Sequence, residues 1–162
     1  MLFRSGPSLM KFYYGQPEET AATIGADGWL NTGDIGYLVD GEIVITGRAK
    51  DLIIVNGRNI RPQDLEWTAE GEVPGLRSGD VAAFPVADAG GDAEKVVALV
   101  QTRTRDPATR ERLASEVAAL LRSRHGVDAQ VRLVGLNTLP HTSSGKLRRA
   151  RAREMYLAGE FA

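Results

Sequence analysis

Between Gly47 and Glu66 the chain reads GRAKDLIIVNGRNIRPQDLE, and it changes character three times in that span. The apolar alternation Ile43-Val44-Ile45 stops at Gly47, and a charged knot of Arg48, Lys50 and Asp51 follows. Then come the apolar run Leu52-Ile53-Ile54-Val55, read as a buried strand, a turn at Asn56-Gly57, and a helix start after Pro62. Charge between two apolar runs marks a place where a chain leaves one packed body and enters another. The stretch reads as a hinge.

Size is consistent with that reading. At 162 residues the chain is long enough for one ordinary domain and a piece of another. Its 43% hydrophobic and 25% charged residues are globular proportions. A formal net charge of -1 gives no bulk reason to expect nucleic acid or a membrane surface as partner. There is no cysteine, so disulfide and thiolate chemistry are excluded. His125 and His141 are too few for a histidine-built metal site, and no metal site is expected. The opening MLFRSGPSLMKFYYG lacks the apolar core of a secretion signal. No apolar run approaches the roughly 20 residues of a membrane helix. A cytoplasmic location is the expectation.

Along the chain, Leu2-Phe3-Arg4 reads as a short strand, and Pro17-Glu18-Glu19-Thr20 places proline and acids where a first helical turn favours them. Ile35 to Val39 and Glu42 to Thr46 flank Asp40-Gly41, a strong hairpin signal. After the hinge the pattern predicts a self-contained α+β unit. It has a helix from Pro62 to about Gly71, then strands at 80–86 and 95–102 joined by the loop Asp88 to Asp92. Asp106-Pro107 caps a second helix, with Leu113, Val117, Leu120 and Leu121 on one face and Gly126 as its stop. Val131, Leu133 and Val134 suggest a third strand, and an arginine-rich helix is expected from Gly145 onward. Trp29 and Trp67 are expected to be packing residues, not ligand platforms.

Three motifs in order carry a resemblance: Gly28-Trp29-Leu30-Asn31-Thr32-Gly33-Asp34, the hinge stretch, and Leu139-Pro140-His141-Thr142-Ser143-Ser144-Gly145-Lys146. Together they resemble the adenylate-forming (AMP-binding) ligases: acyl-CoA synthetases, fatty acyl-AMP ligases, peptide-synthetase adenylation domains and luciferases. The variant GRN-x-RPQDLEWTAE, with YLAG near the end, is most similar to the fatty acyl-AMP ligase branch. The resemblance implies that residues 1–47 are the end of a large AMP-binding domain and 48–51 the hinge. Residues 52–162 would be the small mobile carboxy-terminal domain, an α+β fold with a central antiparallel sheet of about three strands flanked by helices, plus a hairpin near the hinge.

In such enzymes a carboxylate attacks the α-phosphate of ATP, and the acyl group then passes to a thiol. A cation held where charge develops lowers the barrier by electrostatic preorganisation. The resemblance makes Lys146 that cation; an exposed lysine at a helix start is the plain alternative. It gives Asp34 and Arg48 to the nucleotide's ribose, against a turn-stabilising aspartate and a surface pair of Arg48 with Asp51 or Glu42. Lys50, with Asp51 beside it, falls at the hinge, where backbone rotation alternates two poses. Gly57 would border the path of the acceptor's pantetheine, or serve as a left-handed turn residue, or both. Several thioester-forming relatives carry a second lysine where this chain has Ile54, read here as core-facing.

The expected cofactor is ATP, with Mg2+ bound by the large domain. Expected partners are a fatty acid or other carboxylate and an acyl-carrier protein or CoA as acceptor. Arg148, Arg149, Arg151 and Arg153 form a solvated helix face or a surface that greets an acidic carrier protein; nucleic acid is not expected. The stretch contains no phosphate loop and no acyl pocket, so the chain alone is expected to make no acyl-adenylate. Residues 1–46 are expected to pack against the small domain or a second copy. Alternatives are an acyl-CoA synthetase carboxy-terminal domain and a non-catalytic carrier-protein-binding module.

Overall fold

In a computed structural model of the chain, residues 1–55, 57–87 and 94–161 are described. They fall into two units, Met1–Leu52 and Ile53–Ala162, each with its own sheets. In the first, β1 (Phe3–Arg4) is followed by helix α1 (Pro17–Thr23), and β2 (Leu30–Asn31) pairs antiparallel with β1. β3 (Asp34–Val39) and β4 (Glu42–Arg48) form a hairpin. Asp40 and Gly41 at its tip have φ of 51° and 85°, the positive values that a two-residue primed turn requires. Much of this hairpin is bare: Tyr37, Leu38, Ile43 and Ile45 are exposed. A single 3-10 turn, Ala49–Asp51, is the last element of the unit.

The second unit begins with the antiparallel hairpin β5 (Ile53–Val55) and β6 (Arg58–Ile60). Helix α2 (Pro62–Glu72), β7 (Val81–Ala87), β8 (Glu94–Gln101), α3 (Pro107–His125), β9 (Ala129–Val134) and α4 (Arg149–Leu157) follow. The strands form one sheet in the order β7-β8-β9. Each strand's two-residue period divides it between two cores. Val81, Ala83, Val96, Ala98 and Val100 face α2, α3 and the buried Ile53 and Ile60. Ala82, Phe84, Val97 and Leu99 face the opposite way, toward Leu139 and Ala152 of α4. Sequence alone accounts for the ends of α3. The Asp106 carboxylate accepts from the Thr109 amide at 2.8 Å, and Gly126 closes the helix at φ 67°.

The α+β class is as expected, and four local readings are corrected. The sheet is not antiparallel throughout: β7 and β8 are antiparallel, but β9 runs parallel to β8. The 19-residue α3 carries the chain back to the starting edge, as a crossover between parallel strands must. Ile54 is 55% exposed while its neighbour Ile53 is fully buried, so the residue read as core-facing points outward. Trp29 and Trp67 are 46% and 66% exposed in this chain and do not act as core residues. The last helix begins at Arg149, because residues 141–147 are taken up by a tight loop. The Asp88 to Asp92 loop and Asn56 lie outside the described residues.

Glu70 of α2 accepts from the Gly79 amide at 2.8 Å and the Val81 amide at 3.2 Å, tying the helix to the start of β7. Burial raises its pKa, against the pull of those two amides, and the charges of Glu66 and Asp80 raise it further. The folded state therefore holds this proton more tightly than the unfolded chain does. The resulting stabilisation is full below the ordinary carboxylate value and is lost as pH rises through the raised one. Glu70→Gln keeps an acceptor for both amides. It is expected to flatten the fall in thermal midpoint as pH rises above the ordinary carboxylate range. A midpoint that falls as steeply in the variant contradicts this.

Candidate functional site

In the first unit the register of the hairpin sets Asp34 opposite Arg48. Their side chains meet, Arg48 Nε to Asp34 Oδ1 at 3.2 Å, with the guanidinium mostly exposed. Asp34 is held in place locally. Its amide donates to Thr32 Oγ1 at 3.1 Å, and its carbonyl accepts from the Leu2 amide at 2.8 Å. Gly33, at φ 72°, gives its own amide to Asn31 Oδ1 at 3.0 Å. The Asn-Thr-Gly-Asp turn thus presents a carboxylate beside a forked donor, an arrangement that can accept from and donate to a vicinal diol. The two residues expected to share a ribose are neighbours, and Arg48 pairs with Asp34 instead of the Asp51 or Glu42 considered from sequence. Lys50 is exposed and Asp51 half-buried on the following 3-10 turn.

In the second unit Lys146 closes a short hairpin loop. Gly145, at φ 79°, donates to the Thr142 carbonyl at 2.9 Å, and the Thr142 amide donates to the Lys146 carbonyl at 2.8 Å. This is a turn followed by a glycine in the left-handed position, the usual form of a three-residue hairpin connection. The Lys146 amide donates to Thr142 Oγ1 at 3.0 Å, and that hydroxyl also lies 2.9 Å from Ser144 Oγ. The Thr142 and Ser144 hydroxyls are therefore engaged inside the loop. His141 and Leu147 bridge its base, and Leu139 and Leu147 on either side lodge in the core beneath α4. The Lys146 side chain is exposed, with no ion-pair partner among the described residues.

Gly57 turns β5 into β6 at φ 73°, and a Cβ there would meet no described atom within 4 Å beyond its neighbours. The turn role is evident; a larger side chain would be strained by backbone angle, not by a clash. The arginines of α4 are less available than their sequence suggests. Arg149 pairs with Glu66, Arg151 with Glu154, and Arg153 donates to the Pro85 carbonyl at 2.9 Å. No cluster of three metal-ligating side chains occurs among the described residues. No described helix is long and apolar enough to cross a membrane.

No family model matches the chain. A Caulobacter vibrioides (strain NA1000 / CB15N) protein named "Putative acyl-CoA synthetase" is 61% identical over 160 residues, covering 99% of this chain and 28% of that protein. The relatives and structural neighbours of the chain are adenylate-forming ligases. The chain spans little more than a quarter of such a relative, and its fold matches their carboxy-terminal domain. A solved chain from a study of fatty acyl-adenylate ligases of E. coli and L. pneumophila superposes with a TM-score of 0.81 at 45% identity. That match covers 96% of this chain and 27% of the other. The medium-chain-fatty-acid–[acyl-carrier-protein] ligase JamA of Moorena producens (strain JHB) is 35% identical over 161 residues, 94% of this chain and 27% of that ligase.

Sequence reasoning missed Glu66 and Gln101. They are the two buried polar side chains among the described residues, 4% and 7% exposed. The signal for Glu66 was present, since it is the last residue of the hinge stretch itself. Nothing comparable marked Gln101.

Proposed function

We propose that the chain serves as the mobile carboxy-terminal part of an ATP-dependent acyl-activating ligase. That ligase would convert a fatty acid and ATP to acyl-adenylate and pyrophosphate, then transfer the acyl group to a phosphopantetheine thiol on a carrier protein. Lys146 supplies the cation that joins the substrate carboxylate to the α-phosphate. Asp34 and Arg48 hold the ribose, residues 48–51 act as the hinge, and Gly57 borders the thiol's path. Mg2+ accompanying ATP is assigned to the large domain, and the setting is cytoplasmic. The observation that carries this reading is the Lys146 loop. A lysine with no ion pair among the described residues sits on a narrow hairpin whose base is fastened in a core. Such a cation is fixed at its root and free at its tip.

A CoA acceptor in place of a carrier protein is the second reading, favoured by the name of the Caulobacter relative. The bare hairpin of the first unit is a surface for the large domain, or for a second copy of the chain when that domain is lacking.

Pyrophosphate exchange tests the proposal. The chain alone, given ATP and a range of carboxylates, is expected to show background exchange. The same chain grafted in place of the corresponding segment of the Caulobacter relative is expected to restore it. A folded graft without exchange supports a non-catalytic module; turnover by the chain alone contradicts the division of labour.

A further inference from the structure

Both buried polar side chains of the described residues are spent on one segment, the stretch that carries Lys146. Gln101, at the end of β8, accepts through Oε1 from the Thr138 amide at 3.0 Å and the Leu139 amide at 3.3 Å. Its own amide group donates to Asp80 Oδ1 at 3.2 Å, so its orientation is fixed from behind. On the far side of the loop, Glu66 of α2 receives Arg149 in a forked pair, Nε to Oε1 at 2.7 Å and an Nη to Oε2 at 2.6 Å. Glu66 Oε1 also accepts from the Ala83 amide of β7 at 3.0 Å. The entry to the loop is thus tied to β8 and its exit to α2 and β7. Leu139 and Leu147 fill the core between the two ties.

We propose that Glu66, through Arg149, and Gln101 are positioning residues for Lys146, holding the loop at both ends so that it is presented as a rigid piece. Neither needs to touch substrate. A buried polar group costs stability unless it is fully bonded, and a forked carboxylate–guanidinium pair fixes direction as well as distance. Core packing alone could be supplied by apolar residues, whereas a loop whose tip must meet two reacting anions gains from directional ties. A misplacement of about 1 Å at a reacting group can cost on the order of 10²-fold in rate. The functional half of this inference rests on the reading of Lys146 as the adenylation cation; the mechanical half does not.

Two variants separate positioning from folding. Gln101→Met removes the acceptor at the entry. The double variant Glu66→Gln/Arg149→Met removes the charged fork but keeps an oxygen for the Ala83 amide and leaves no buried charge alone. Amide exchange on the chain itself is the first readout. The Thr138, Leu139 and Lys146 amides are expected to exchange at least about tenfold faster, with protection of Val97 to Val100 in β8 retained. Unchanged exchange in the loop, or equal loosening of β8, overturns the proposal. In the grafted enzyme each variant is expected to lower the adenylation kcat about 10- to 100-fold with little change in KM for ATP or carboxylate. A raised loop exchange with an unchanged kcat overturns the functional half. If Lys146→Ala is itself without effect, the reading of Lys146 fails, while the exchange result still decides whether the ties hold the loop.

Discussion

Replacing Lys146 by alanine in the grafted enzyme is expected to lower acyl-adenylate formation by about 10²- to 10³-fold, the usual effect of removing one preorganised group from a developing charge. Transfer from supplied acyl-adenylate to a thiol is expected to be nearly unchanged. The split follows from the chemistry of the two half-reactions. In the first, a carboxylate approaches a phosphate and charge builds on the phosphorus oxygens, so an ammonium helps most at the transition state. In the second, the phosphate is the leaving group and the cation can withdraw. Lys146→Arg keeps the charge but not the compact point geometry, and is expected to recover only part of the loss. Pyrophosphate exchange reads the first step and thioester formation reads the second. Equal losses in both contradict a role confined to adenylation.

A comparably large effect, on stability, is expected from Glu66→Ala. The variant leaves Arg149, whose side chain is 17% exposed, without the Glu66 carboxylate, and leaves the buried Ala83 amide without its acceptor. Breaking a buried pair from one side costs about 3–5 kcal/mol, because one charge stays behind uncompensated. That is a large part of the 5–15 kcal/mol that typically holds a small domain together, so the midpoint of urea unfolding is expected to drop sharply. The double variant Glu66→Gln/Arg149→Met is expected to lose much less, since no charge is stranded. A Glu66→Ala midpoint close to that of the unaltered chain contradicts the importance of the pair.

The parts legible in the sequence are those set by neighbours along the chain. Asp106, Pro107 and Gly126 bound α3 because a cap and a left-handed stop act within a few residues. Asp40-Gly41 located a hairpin for the same reason. The direction of β9 was not legible, because it depends on where a 19-residue helix delivers the chain. The run from Leu52 to Val55 is apolar throughout, so it carries no alternation to say that Ile53 faces in and Ile54 out. In the candidate site, Asp34, Arg48 and Lys146 were named from motifs, and Asp34 proves to stand beside Arg48. Glu66 and Arg149 were invisible as a pair, being 83 residues apart, and burial of a charge shows only once its partner is in place. Of the arginines expected on a solvated face, Arg151 and Arg153 are exposed, and only Arg149 is drawn inward, by a tertiary contact with Glu66.

The claim on which the rest depends is that Lys146 reaches a nucleotide-bound carboxylate. It is tested most directly by offering the grafted enzyme a preformed acyl-adenylate, without thiol, and locating the acyl group by mass spectrometry. Within the segment contributed by this chain there are four lysines, Lys11, Lys50, Lys95 and Lys146. Acylation concentrated on Lys146, and suppressed by added AMP, is the expected result. Acylation spread evenly over the four and indifferent to AMP would contradict it.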